Sequence, residues 1–255
     1  MFMRSKDVEG LRVHGRDGEV GRVQDLLIDE RWAARYFVLM PGSWLPRRLV
    51  ISPIAITAID WAEGRVDIRL TRRQVGESPD LLAVEPLTRE AEAEAAKYYD
   101  FPAYWGGPEL WAWAGRPGAL GSAPPAGYAP PPAESAETTS KLRSARSFRG
   151  RHVVARDGDV GHVDHCIFDD DSWTMPYFVV DTSNWIGGRH VLVPTEAVRE
   201  KETMDRALAV ACTTDLIRSA PEYDGALPLD STGEKRIRSH YGLAQAERSR
   251  RVAGR

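Results

Sequence analysis

Gly18-Glu19-Val20-Gly21-Arg22-Val23 returns 140 positions later as Gly158-Asp159-Val160-Gly161-His162-Val163, and this recurrence decides the architecture. Working outward, Trp32, Tyr36-Phe37-Val38, Trp44, Arg48 and Pro53 meet Trp173, Tyr177-Phe178-Val179, Trp185, Arg189 and Pro194 at a spacing of 141. Thr71, Pro79 and Tyr99 meet Thr213, Pro221 and Tyr241 at 142. Spacing that slips by one residue at a time between matching blocks is what changes of turn length produce. The chain therefore reads as two folded units of one design, over 10–99 and 150–241, each of ordinary domain size.

Within each copy the strand signals are short and close together. Asp17-Gly18 and Asp157-Gly158 sit between apolar segments as hairpin turns, because Gly accepts positive φ and Asp tolerates it. Gly21 and Gly161 interrupt the strand that follows, where an isolated glycine marks a bulge or a sharp bend. Tyr36–Met40 and Tyr177–Val180, Arg48–Ile51 and Arg189–Val193, and Val66–Leu70 and Ala207–Ala211 add three strands to each unit. Thr71 and Thr213 are placed to cap short helical turns, and Thr88 opens a Glu/Ala-rich helix that runs to Tyr99. The fold class expected is mainly β, two tandem small β-barrels each followed by short helical segments.

Between the copies, Gly115 to Pro132 holds Pro117, Pro124, Pro125, Pro130, Pro131 and Pro132 with four glycines, a composition that reads as a tether. The expected domains are 1–106 for the first unit, 107–144 for the Pro/Gly-rich linker, 145–245 for the second unit and 246–255 for a basic tail. The formal net charge of −3 argues against a whole-chain footprint for nucleic acid, since only Lys235 to Arg255 is basic. The amino terminus lacks the apolar stretch of a signal peptide, and nothing approaches a membrane span, so a cytoplasmic protein is expected. Cys166 and Cys212 stand where the first copy has Leu26 and Leu70, which reads as small buried side chains and not as a disulfide or a metal site.

These residues resemble the PRC-barrel family, the small β-barrel of the photosynthetic reaction-centre H subunit and of a ribosome-maturation factor. The resemblance rests on Gly10, Asp17 to Gly21, Asp29 with Trp32, Tyr36-Phe37-Val38, Trp44 to Pro53, and Thr71 with Ser78-Pro79. It returns at Gly150, Asp157 to Gly161, Asp169 with Trp173, Tyr177-Phe178-Val179, Trp185 to Pro194, and Thr213 with Pro221. It implies a bacterial two-barrel protein whose structural motif residues are Gly18, Gly21, Trp32, Trp44, Pro53, Gly158, Gly161, Trp173, Trp185 and Pro194.

No nucleophile-and-base pair, phosphate loop or dinucleotide fingerprint is present, and no cofactor is expected. His162, Asp164 and His165 have a metal-ligand flavour, but on a strand His165 points away from the other two, which leaves exposed strand polarity as the reading. Asp169-Asp170-Asp171 lacks the spacing of a calcium loop and reads as a turn. Trp111 and Trp113, at the linker's edge, have no counterpart in the second copy, and are the candidate interaction residues beside the alternative that they fold back onto the first unit. The function expected is a non-catalytic adaptor with an unidentified protein partner, by intramolecular barrel pairing or as a homodimer. The alternatives are a soluble H-subunit-like protein supporting photosynthetic electron transfer, peripheral to the membrane through a partner, and RNA or ribosome-assembly binding.

Overall fold

The computed structural model describes residues 1–82, 87–121, 124–128, 140–182, 188–199, 207–225 and 231–243. They fall into two compact units, Met1–Arg149 with His165–Pro176, and Gly150–Asp164 with Tyr177–Arg255. Trp185, Pro130 to Pro132 and the basic tail lie outside the described residues.

The first unit contains β1 (Phe2–Arg4), α1 (Ser5–Val8), β2 (Arg12–Gly15), β3 (Gly18–Ile28), β4 (Ala34–Met40), β5 (Leu49–Ile51), β6 (Ile56–Asp60) and β7 (Arg65–Ile68). The short helix α2 (Arg72–Gly76), the longer α3 (Arg89–Tyr99) and the two-residue β8 (Arg143–Ser144) complete it. Its sheet runs β5-β4-β3-β2-β7-β6, with β8 also on β3. The β2–β7 pair is parallel and the rest are antiparallel. Val13, Val20, Phe37, Leu39, Leu49 and Val66 are fully buried and form its core, as the period-2 side-chain alternation of strands requires.

The second unit repeats the order. The strands β9 (His152–Val154), β10 (Asp159–Asp169), β11 (Tyr177–Asp181), β12 (His190–Pro194) and β13 (Ala207–Ala209) pair as β12-β11-β10-β9-β13, with β9–β13 parallel. An isolated bridge, Val198 to Val210, stands where β6 meets β7 in the first sheet. The helices α4 (Thr214–Arg218) and α5 (Ser231–His240) follow. The fold is mainly β, in one sheet of seven strands and one of six.

The recurring glycines have one physical cause. A Cβ on Gly21 would meet the Met40 carbonyl oxygen at 2.5 Å, and one on Gly161 would come closer still to the Asp181 carbonyl oxygen. Met40 and Asp181 are counterparts, so in each sheet the long strand passes its neighbour too closely for any side chain. The ladder slips beside both glycines, between Val13 and His14 in the first sheet and between Asp159 and Gly161 in the second.

The threonine caps form as expected. Thr71 and Thr213 accept from the backbone N–H of Gln74 and Leu216, and Thr88 from that of Ala91. Both cysteines are buried and free, and burial pushes the Cys166 thiol up to about 12.

Residues 165–176 cluster with the first unit, and there equivalent segments of the two repeats pair reciprocally. β1 lies on the end of β10 with Arg4 opposite Ile167 and Met3 opposite Phe168. β8 lies on the end of β3 with Ser144 opposite Leu27 and Arg143 opposite Ile28, which are the same relations 140 positions on. Ala33 bridges its own counterpart, Thr174. The Met1 amine pairs with Asp170, and Lys141 pairs with Glu30 at 2.7 Å. Glu9 pairs with its counterpart Arg149 at 2.9 Å. Within the first unit the two short strands thus pair by the same relations. No single-repeat pattern announces it, because β1 and β8 are too short to show a period.

Candidate functional site

Of the expected linker 107–144, the stretch 107–121 is folded. Trp111, Ala112, Ala114 and Leu120 are buried in the first unit. The Trp111 indole donates to the Ser172 carbonyl at 2.8 Å, and its ring covers the guanidinium of Arg35 at 4.5 Å. Tyr104 covers Arg35 from another side at 4.3 Å, and Asp29 pairs with it at 2.7 Å. Arg35 is 1% exposed, and burial lowers its pKa against the opposing pull of Asp29. Aromatic faces and one carboxylate thus keep a buried cation compensated. Trp111 is therefore committed to the interior, while the half-buried Trp113 rests against Tyr128 at 4.7 Å.

Next to this knot lies a second buried charge. Glu92 on α3 is fully buried, accepts from the Tyr104 hydroxyl at 2.9 Å and pairs with Arg89 at 2.9 Å. Burial, reinforced by Glu92, drives the Tyr36 and Tyr104 hydroxyls well above the ordinary tyrosine value. These groups stay protonated and act as hydrogen-bonding fixtures. Beyond them opens a cleft walled by Tyr36, Leu81, Tyr99, Phe101, Tyr104 and Trp105, whose free space, mouth included, is about 360 Å³.

The motif tryptophans hold turns. Trp32 and Trp173 both adopt φ of +58°, unusual for a bulky residue. Each closes a turn built on an aspartate: Asp29 Oδ1 accepts from the N–H of Arg31 and Ala33, and Asp169 Oδ1 from those of Asp171 and Ser172. The acidic run 169–171 is thereby the expected turn, with Asp171 also paired to Arg116 at 3.1 Å. Trp173 packs on Phe37 at 4.7 Å and Trp32 on Phe148 at 5.8 Å. Trp44 donates to the Val20 carbonyl at 3.1 Å and lies under Arg72 at 4.2 Å. Pro53 opens a 3₁₀ turn capped by Ser52, and Pro194 precedes the matching turn at Thr195–Ala197. Gly18 takes φ of +139° where β3 leaves its hairpin turn, and the Gly158 carbonyl accepts from Ala155.

In the second unit a polar row crosses the sheet. His152 is directly opposite His162, and Asp181 is directly opposite His190. His162 Nε2 lies 3.6 Å from Asp181, His152 Nδ1 3.5 Å from Asp159, and His190 Nε2 3.5 Å from Asp164. Their strand neighbours Val153, Val163, Val180 and Val191 are fully buried on the other face. His165 turns inward and is buried, apart from His162 and Asp164 as expected. The full row was not legible in the sequence, because it depends on the register of four strands.

The second unit thus shows a meander of antiparallel strands closed by a parallel return strand, a small β-domain class with bulged corners and aspartate-based turns. Residues 141–210 match the PRC-barrel domain family. No curated protein matches the chain. No helix among the described residues is long and apolar enough to cross a membrane.

Proposed function

We propose that the chain is a non-catalytic adaptor built from two PRC barrels and acting through protein–protein contacts. The first repeat is read as the second barrel of the pair because it reproduces the strand order, glycine crossing, capped turns and left-handed tryptophan of the matched domain. The observation that carries the adaptor reading is the aromatic cleft on the first unit. Its acidic and phenolic neighbours are tied into buried pairs, so its walls offer apolar contact surface and little chemistry, the composition of a protein-binding hot spot. The cleft suits an apolar or aromatic side chain presented by a partner protein.

The test is capture from native cell extract by the full chain and by a Trp105→Ala, Leu81→Arg variant, with bound protein and RNA both identified. A protein retained by the wild type and lost from the variant supports the reading. Capture indifferent to the cleft would remove it, and RNA retained in moderate salt would move the chain to the ribosome-assembly class.

A further inference from the structure

We infer that the outer face of the second unit holds a divalent transition-metal site, with His152 and His162 as the ligands. This goes beyond the adaptor reading and does not depend on it. The two histidines occupy directly opposed positions on adjacent antiparallel strands, where Cβ atoms stand about 4.5–5.5 Å apart on the same face. Two imidazoles at that separation can converge on one ion, and the backbone ladder fixes them without a loop having to order. Both side chains face outward, His152 63% and His162 39% exposed, so an ion can reach them.

The carboxylates strengthen the assignment. Metal-bound histidines characteristically give the other ring nitrogen to a carboxylate, which sets the tautomer and the ring orientation. Asp159 stands at Nδ1 of His152 and Asp181 at Nε2 of His162. The opposite nitrogens, Nε2 of His152 and Nδ1 of His162, are then the ligand atoms. Among the described residues no three His, Cys, Asp or Glu side chains converge on a point. The site is accordingly a two-histidine chelate completed by water, open and exchangeable. Imidazole donors select copper, nickel and zinc over magnesium and calcium.

The first repeat supplies a built-in contrast. At the same register it places Arg12 opposite Arg22, two fixed cations that exclude a metal. The capacity therefore belongs to the second copy alone.

The test is calorimetric titration of the untagged full chain with zinc, nickel and copper salts, beside NMR of the histidine rings. One site per chain is expected, strongest for copper, with the ring signals of His152 and His162 moving together. His152→Gln or His162→Gln should weaken binding at least tenfold, while His14→Gln and His190→Gln leave it unchanged. Asp159→Asn with Asp181→Asn should weaken it by about tenfold, the usual effect of removing such outer carboxylates. All these side chains are at the surface, so folding is not at risk. Absence of binding, or binding that survives His162→Gln, overturns the assignment.

Discussion

The helices α3 and α5 carry a buried glutamate at equivalent positions, and the arginines near it differ. Glu92 and Glu234 are counterparts, both buried, and each acts on a buried tyrosine of its own sheet, Tyr36 or Tyr177. In the first unit the cation is Arg89, one turn before the glutamate. The second unit has Ser231 there. It has Arg238 one turn after the glutamate, at the position of Ala96, paired with Glu196 at 2.9 Å. The repeat has kept the buried glutamate and not the arginine one turn before it. A buried carboxylate is tolerated when a cation lies within reach, as Arg89 does for Glu92. The same divergence puts Arg35, locked under Trp111 and Tyr104, where the second copy has Pro176.

The largest effect should come from this added knot. Trp111→Ala should destabilise the first unit by about 3–5 kcal/mol, the usual range for emptying a fully buried tryptophan, read as a fall in the urea midpoint. An effect below about 1 kcal/mol would show that the knot is ornamental to the repeat. Next, Arg89→Ser should cost about 3 kcal/mol, because Glu92 is left buried and uncompensated. Adding Ala96→Arg, which copies the second unit, should restore part of that loss. No recovery would show that an arginine one turn later cannot take the place of Arg89.

Alkaline titration distinguishes the units through their tyrosines. The raised folded values mean that the stabilisation is complete below the unfolded tyrosine range near 10 and is lost as pH climbs through the folded value. For Tyr177 and Tyr99, both pushed up to about 12, stability should decline between about pH 10 and 12. Absorbance at the phenolate band should show Tyr36 and Tyr104 ionising only with unfolding. The helix caps should match more closely: Thr88→Ala and Thr213→Ala are each expected to cost about 1 kcal/mol. The smallest effect belongs to the exposed histidine row. His152→Gln and His190→Gln should change stability by less than about 0.5 kcal/mol, as exposed ion pairs contribute little.

The sequence carried most of the sheet and little of the site. Turn glycines, capping threonines and compact apolar strands are local signals, and all of them fold as read. The edge strand β6 escaped because Thr57 and Ala58 face solvent and give it no apolar run. Trp111 was visible as an oddity, yet its burial over Arg35 depends on contacts across 76 residues of chain. Nothing in the Glu/Ala-rich pattern marks Glu92 as buried, since its burial depends on contacts such as that with Tyr104 beyond the helix. The histidine row needed cross-strand register, which no single strand encodes.

The reciprocal pairing of β1 with β10 and of β8 with β3 also dictates when the protein can be finished on the ribosome. The β1 ladder cannot form until Asp169 has been synthesised, and Leu27, already paired with Tyr36 on β4, gains its second strand only with Ser144. At about 5–20 residues per second the nascent first unit waits on the order of ten seconds with one edge of the end of β3 open. An open strand edge recruits other chains, so this interval is when the growing polypeptide is most vulnerable to mispairing with its neighbours on a polysome.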